Sequence, residues 1–397
     1  MRRYASYAII ILMVCLIGCD RDNGAEYPIT DMQYRTGTDG LKFDFIANGP
    51  PAKIFESAEF DIVTDAWNKG AYDIEEGYIT AIVEEDYMCI LDGEECAGFV
   101  GEGGTAELNS LRAQRTDILV QLDKEHMAEE AREELRTQLE EIERQIEDRK
   151  QGLTYMNPAL TRDIVEEEPS GALEGKGVSS PEGNYKRISF KAKAKPLDLL
   201  SVQHTSPVIL TACYAYATVA SVDVCIDPDV SGTRDMDKAC ETKDITLTDQ
   251  GAPIAITKVE TRILPKGEDV VPQFMIHVDN KGSGKPISEE VLEEACSSAE
   301  LSHSDWNRVR LESFRFSSDQ YHYDYGSESN NIDCSTNPLR LVDGKDTIRC
   351  TVNNNKLGEE LKLSKQDPSF STKAFIRLEY GYTESETKNV VIEKVET

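Results

Sequence analysis

Apolar and polar residues alternate in short runs along much of the chain. Residues 41–46, 58–63 and 78–83 each place an apolar side chain at every second position. An Asn-Gly-Pro-Pro segment at 48–51 has the composition of a turn and lies between the first two runs. A period of two is typical of half-buried antiparallel strands. The pattern therefore predicts a mainly β protein.

Two sequence patterns occur twice. An alternating strand leads to Asn-Lys-Gly within residues 60–70, and another does so within residues 274–282. A Tyr-x-Tyr segment within 213–217 is echoed within 379–383, and each copy is followed by a further strand, so we interpret each as part of a last hairpin. Internal similarity of this kind indicates that one structural unit is present twice.

The repeats predict two tandem immunoglobulin-like β-sandwiches. We place the first at residues 40–226 and the second at residues 252–397, with a linker at 227–251. Chance similarity between short strands is the alternative. Gly70 and Gly282 suit a tight reversal after the strand, because glycine adopts positive φ without steric cost.

The strand followed by Asn-x-Gly resembles the cell-adhesion-related CARDB modules and similar immunoglobulin-like domains of prokaryotic surface proteins. The resemblance covers about twenty residues in each copy, around Asn68 and Asn280. It implies extracellular sandwiches used in adhesion or as spacers, without catalysis.

A helical insertion is predicted at residues 105–150 of the first sandwich. Leucine and isoleucine recur there at spacings of three and four residues, among many Glu and Arg residues. The apolar stripe is interrupted at 124–131, so we predict a coiled-coil hairpin with arms near 106–124 and 129–150. A single long helix is the alternative, because the proposed turn contains no Gly or Pro. Either the apolar stripes of the two arms simply pack against each other, or the hairpin projects and binds a partner.

The first eighteen residues have the features of a secretory signal peptide. Arg2 and Arg3 precede a short apolar run, and Leu-Ile-Gly-Cys ends at Cys19. This ending resembles the lipobox of prokaryotic lipoproteins, which implies that Cys19 receives lipid and becomes the new N-terminus. Residues 19–39 are then a polar tether. A transmembrane anchor is the alternative, but the apolar run is shorter than the ~20 residues that a spanning helix needs.

Charge and cysteine content agree with an exported protein. The 397 residues contain 43 Lys and Arg against 73 Asp and Glu, a net charge of −30. Such a surface repels phosphates, so we expect no nucleic acid partner.

Besides Cys15 and Cys19, eight cysteines remain, and an even number in an exported chain indicates disulfides. Loop length favours three close pairs and leaves the fourth by elimination: Cys89–Cys96, Cys225–Cys240, Cys334–Cys350 and Cys213–Cys296.

We find no motif for catalysis, so we expect no enzyme, no cofactor and no metal site. Residues 227–232 resemble a calcium loop in their oxygen spacing, but Lys238 stands where a bidentate Glu is needed. The alternation of Tyr321, Tyr323 and Tyr325 is a candidate binding face, with a core or edge strand as the alternative.

Taken together, these features predict a lipid-anchored extracytoplasmic protein for adhesion, spacing or envelope assembly. Its expected partners are the membrane, through the lipid, and a protein or glycan. The alternative is a surface protein that binds or cleaves carbohydrate.

Overall fold

The computed structural model of the protein describes residues 34–93, 95–96, 111, 114–115, 118, 121–122, 129–152, 159–165, 171–197, 201–234, 237–296, 301–318, 321–327 and 329–395. The predicted signal peptide at 1–18, Cys19, most of the tether and most of the first helical arm lie outside these residues. Within the described part, residues from Tyr34 onward form one unit.

The protein is mainly β, as the alternation predicts. The first half, up to residue 226, contains nine strands: β1 Leu41–Phe45, β2 Lys53–Phe55, β3 Glu59–Asn68, β4 Gly77–Val83, β5 Met88–Asp92, β6 Glu95–Cys96, β7 Ala159–Asp163, β8 Tyr185–Ala194 and β9 Gln203–Ile226. The second half contains eleven: β10 Ile245–Thr246, β11 Ile254–Lys266, β12 Asp269–Asn280, β13 Lys285–Ile287, β14 Arg308–Ser317, β15 His322–Tyr325, β16 Ile332–Ser335, β17 Leu339–Arg340, β18 Lys345–Val352, β19 Leu363–Ser364 and β20 Phe370–Glu393.

Three sheets contain these strands. A five-stranded sheet has the order β1-β3-β8-β5-β6, and a six-stranded sheet has the order β10-β11-β12-β18-β16, with β19 also paired to β12. A nine-stranded sheet has the order β15-β14-β20-β9-β4-β7, with β2 and β13 also on β20 and β17 on β14.

The sheets pack around a main core that contains residues of both halves, and a second, small cluster lies around Cys213 and Cys296. In the second half, the ring of Phe274 on β12 lies 5.0 Å from the rings of Phe314 and Phe316 on β14. Period-two burial follows the sequence pattern, since Phe60 and Ile62 on β3 are buried while the intervening Asp61 is exposed. A sandwich-like architecture is the result.

The two predicted sandwiches share the nine-stranded sheet. Strands β9 and β20 pair antiparallel over their full 24 residues, from Gln203 opposite Glu393 to Ile226 opposite Phe370. No hairpin occurs at Tyr214 or Tyr382, so that interpretation of the repeat is wrong. Tyr and Ala keep the period of two through this segment, and the strand continues without a turn. The boundaries 40–226, 227–251 and 252–397 stay predictions.

The second arm of the predicted insertion forms helix α1 (Glu129–Gly152). Leu135, Leu139 and Ile142 on its apolar stripe are half-buried. Arg115, one of the few described positions of the first arm, places its Nε 3.5 Å from Glu143 Oε1. The coiled-coil hairpin stays a prediction. A five-residue helix, α2 (Leu292–Cys296), lies in the second half, and no described helix is long and apolar enough to cross a membrane.

Candidate functional site

Four buried tyrosines lie at the centre of the β9–β20 pair. Tyr214 lies opposite Tyr382, and Tyr216 lies opposite Tyr380, each less than 5% exposed. The two Tyr-x-Tyr segments of the sequence repeat are therefore antiparallel partners. This places the junction between the halves at the repeated motif.

The repeated Asn-x-Gly motif anchors one tyrosine of each pair. Asn68 Oδ1 accepts hydrogen bonds from Gly70 N at 3.2 Å and from the Tyr216 hydroxyl at 3.3 Å. In the second half, Asn280 Oδ1 accepts the same two bonds, from Gly282 N at 3.2 Å and from the Tyr382 hydroxyl at 3.1 Å. The motif thus turns the chain and positions a tyrosine at the same time. The positive φ expected at Gly70 and Gly282 does not occur; a Cβ at either position would instead overlap a tyrosine hydroxyl.

The other two tyrosines also have equivalent partners. Leu41 N donates to the Tyr214 hydroxyl at 3.1 Å, and Ile254 N donates to the Tyr380 hydroxyl at 3.4 Å. Both donors are the first residue of a strand, Leu41 of β1 and Ile254 of β11. These matching contacts support an internal duplication. Burial raises the pKa of both hydroxyls well above the usual value for tyrosine, so they stay protonated.

A cleft of about 540 Å³ opens beside this junction. Its walls come from residues 38–44 at the start of β1, from the turn at 281–283 and from Glu384 and Glu386 on β20, while Tyr214, Tyr382 and Pro253 also line it. Thr38 and Asp39 belong to the end of the predicted tether. Because the cleft lies beside the buried tyrosines and carries several charged groups, we take it as the candidate functional site.

Carboxylates dominate the charge of the cleft. Its lining includes four acidic groups and two ammonium groups, namely Asp39, Asp44, Glu384, Glu386, Lys42 and Lys281. Burial raises the pKa of Glu384, and the charges of Glu386 and Asp39 add to this effect. The hydroxyl of Ser283 donates to Glu384 and works in the opposite direction.

The sequence contained a signal for this cleft that periodicity alone did not reveal. Along β20, Tyr380, Tyr382, Val390 and Ile392 face the core. The positions of the same face between them are charged residues, and none of them is fully buried: Glu384, Glu386 and Lys388. An interruption of this kind in an otherwise apolar strand face indicates that the opposite sheet does not cover it.

The structure joins the eight cysteines in the four predicted pairs. The Cα–Cα distances are 5.5 Å for Cys89–Cys96, 5.6 Å for Cys213–Cys296, 5.8 Å for Cys225–Cys240 and 4.1 Å for Cys334–Cys350. Cys213–Cys296 connects the centre of β9 in the first half to helix α2 in the second. Disulfide formation indicates an oxidising, extracytoplasmic environment.

The predicted binding tyrosines lie in the second half of the core. Tyr321 is 5% exposed and donates to Asp367 Oδ2 at 2.9 Å, while Tyr323 is fully buried and donates to Leu361 O at 2.8 Å. Tyr325 is half-buried, and its hydroxyl accepts from Asn337 Nδ2 at 2.6 Å. A binding face formed by these three rings does not fit their burial, and the core alternative describes the arrangement.

The calcium-like loop is held by an ammonium group of the chain itself. Lys238 Nζ lies 2.7 Å from Asp227 Oδ2 and 3.6 Å from Asp229 Oδ2. The Asp229 carboxylate also accepts from the backbone of Thr233 and Arg234. Among the described residues, no three Cys, His, Asp or Glu side chains come together as a metal site requires.

Comparisons with known proteins do not identify a family. No family model matches the chain, and no curated protein matches it. One similar solved structure is the native conformation of E. coli alpha-2-macroglobulin, determined by cryo-EM, with a TM-score of 0.14 and 8% sequence identity. The alignment covers 89% of this chain but only 16% of that protein. A likeness at this TM-score carries no argument about fold or function.

Proposed function

We propose that the protein is a lipid-anchored, extracytoplasmic binding protein that acts in adhesion, spacing or envelope assembly without catalysis. The observation that carries this proposal is the set of four disulfides, which requires an oxidising compartment. Export in turn supports the interpretation of residues 1–18 as a signal peptide and of Cys19 as the acylated residue. Residues 19–39 would then connect the lipid to the folded part.

The architecture supports a structural or binding role in two ways. The halves are interpreted as immunoglobulin-like sandwiches related to CARDB modules, and their continuous β9–β20 pairing gives a rigid connection between them. The insertion is interpreted as a projecting coiled-coil hairpin, of which α1 is one arm. A rigid body with a projecting arm suits contact with another envelope component.

Membrane retention tests the anchor. We expect the wild-type protein in the membrane fraction and the Cys19→Ala variant in the soluble or unprocessed fraction, since acylation is lost. Cys15→Ala is the matched control, because this cysteine lies inside the predicted signal peptide and its loss should leave retention unchanged. Equal retention of the Cys19→Ala variant would contradict lipid anchoring.

Partner capture tests the binding role. The lipidated protein is crosslinked in intact cells and compared with a variant in which residues 105–150 are replaced by a short Gly-Ser linker. A partner lost with the insertion assigns recognition to the helical arm. Partners recovered equally from both variants place recognition elsewhere on the sandwiches, and recovery of none contradicts the binding role.

A second candidate function is carbohydrate binding, which one observation favours. Tyr185 on β8 is 46% exposed, and its ring is stacked on Trp67 with centroids 4.4 Å apart. Lys69 Nζ lies 4.1 Å from the centre of the Trp67 ring. The exposed Tyr185 ring, held in place by its stacking on Trp67, is suited to stacking against a sugar. Glycan-array binding that disappears in Tyr185→Ala but persists in Phe375→Ala would support this function, and an array without binding would exclude it.

A further inference from the structure

One segment of β20 presents an open strand edge. On the side opposite β9, β20 pairs with β13 through Gly381–Thr383 and with β2 through Val391–Glu393. Between them, residues 384–390 have no strand partner on that side among the described residues. The edge of this otherwise central strand is therefore unpaired between Ser283, which donates to Glu384 at one end, and Ala52, which accepts from Val391 N at the other.

The hydrogen-bonding direction of this segment follows from its neighbours. Val391 N donates to Ala52 O at 3.0 Å, and Glu393 O accepts from Glu56 N at 2.9 Å. Odd-numbered residues of β20 thus direct their backbone groups away from β9, because the direction alternates along an antiparallel strand. Ser385, Thr387 and Asn389 therefore direct their N–H and C=O groups to the open side. They can bind a strand of about five residues, which spans ~17 Å.

The cleft lies along this open edge. Glu384 and Glu386 line it from β20, and residues 38–44 line it from β1, which is the edge strand of the five-stranded sheet. An added strand directs alternate side chains into the space between the sheets, on the same face as Glu384 and Glu386. Those side chains would enter the cleft.

The charge of the cleft determines which strand fits. Four carboxylates and two ammonium groups line it, and opposite charges on neighbouring strands stabilise pairing while like charges oppose it. Inward-facing charges also prevent an edge from pairing with apolar strands or with its own copies. Lys388, the next inward position of β20, is directed to the Phe45 ring, with its Nζ 5.8 Å from the ring centre. A strand with Lys or Arg at the positions beside Glu384 and Glu386 is therefore the complement of this edge.

We infer that the cleft binds an extended basic peptide segment of a partner protein, which adds as a strand to β20 at Ser385–Asn389 and directs Lys or Arg side chains toward Glu384 and Glu386. This inference rests on the proposed binding function and specifies the partner class. Main-chain hydrogen bonds supply affinity in this mode of recognition, and the alternate side chains supply specificity.

The test uses the purified mature full-length chain and a synthetic octapeptide that alternates lysine and valine. Fluorescence anisotropy should show binding of this peptide and none of its counterpart with glutamate in place of lysine. The double variant Glu384→Gln/Glu386→Gln should bind the lysine peptide roughly 3- to 10-fold more weakly. The matched control Glu59→Gln/Asp61→Asn removes two exposed carboxylates from β3 and should bind like wild type.

Hydrogen exchange identifies the strand edge itself. The peptide should slow exchange at the amides of Ser385, Thr387 and Asn389, while amides that already pair with β9, such as that of Glu386, change little. Three results would overturn the inference. The two peptides could bind equally well, the two double variants could weaken binding equally, or the peptide could bind without protecting the three amides. Membrane retention and partner capture are measured independently, so the proposed function can survive this failure.

Discussion

Tyr214 on β9 lies directly opposite Tyr382 on β20, and their ring centroids are 5.9 Å apart. These residues belong to the two copies of a motif that is repeated about 170 residues apart in the sequence. The two copies of the motif are therefore paired with each other in the folded protein. The pairing of β9 with β20 therefore joins the two halves of the chain at the repeated segment.

The first prediction concerns the hydroxyls that join the tyrosines to the Asn-x-Gly turns. Tyr382→Phe and Tyr216→Phe each remove one hydrogen bond to an asparagine, Asn280 or Asn68. We expect Tyr382→Phe to lower the free energy of unfolding by about 1 kcal/mol, as for a typical buried hydrogen bond, and Tyr216→Phe to lower it by more, because that hydroxyl also accepts from Tyr72 N at 3.3 Å. Denaturant unfolding monitored by circular dichroism measures this.

The control for that prediction is Tyr78→Phe, whose hydroxyl donates to the side chain of Glu76 near the surface at 3.0 Å. Its effect should stay within about 0.5 kcal/mol. If the buried and surface variants lose the same stability, the tyrosine junction has no special importance.

A second prediction concerns the close approach at Gly282. A Cβ at this position would overlap the Tyr382 hydroxyl and the ring of Pro253. Gly282→Ala should therefore destabilise the protein by roughly 1–3 kcal/mol through overpacking. Gly267→Ala is the comparison, because nothing lies near its Cβ position and only its positive φ of +64° opposes the change. Thermal unfolding that ranks Gly267→Ala as the more damaging would refute the packing argument.

Much of the fold could be predicted from the sequence, and the reasons are physical. Alternation located β1 and β3 because their inward positions are apolar, and loop length identified the disulfide pairs because close cysteines face the lowest closure entropy. The continuous β9–β20 pairing could not be predicted, since register between strands about 170 residues apart depends on tertiary packing. The hairpin expected at Tyr214 was wrong for that reason.

The site was predictable only in part. The repeated Asn-Lys-Gly turn marks one wall of the cleft, and it was noted as a turn. Glu384 and Glu386 were missed because a charged strand segment is normally exposed, and only the arrangement of β13 and β2 along β20 shows that its edge is open. Tyr321 and Tyr323 were candidates because aromatic alternation occurs both in binding faces and in cores.

A third prediction compares two disulfides. Cys213→Ala/Cys296→Ala opens a loop with a sequence separation of 83, whereas Cys89→Ala/Cys96→Ala opens one with a separation of 7. The chain-entropy model gives losses of about 4.5 and about 2.4 kcal/mol. Cys213→Ala/Cys296→Ala should therefore have a lower denaturant midpoint than Cys89→Ala/Cys96→Ala. The reverse order would mean that Cys213–Cys296 does not restrain the two halves.

A fourth prediction concerns alkaline pH. Burial raises the pKa of Tyr214, Tyr216, Tyr380 and Tyr382, while tyrosine in the unfolded chain titrates near 10. The folded state therefore binds more protons above about pH 10, and the stability that these groups contribute is lost as the pH rises beyond that value. Stability measured against pH should decline there, and the decline should be less steep in Tyr216→Phe. A curve that stays level well above pH 10 would contradict the buried cluster.

The central claim is that the chain leaves the cytoplasm, is acylated at Cys19 and then folds with all eight remaining cysteines oxidised. Intact-mass analysis of the protein purified from membranes, with and without reduction and thiol labelling, tests this most directly. We predict a mature chain that begins at Cys19, carries the added mass of its lipid and labels at eight thiols only after reduction. An unprocessed N-terminus with eight thiols that label without reduction would contradict the account.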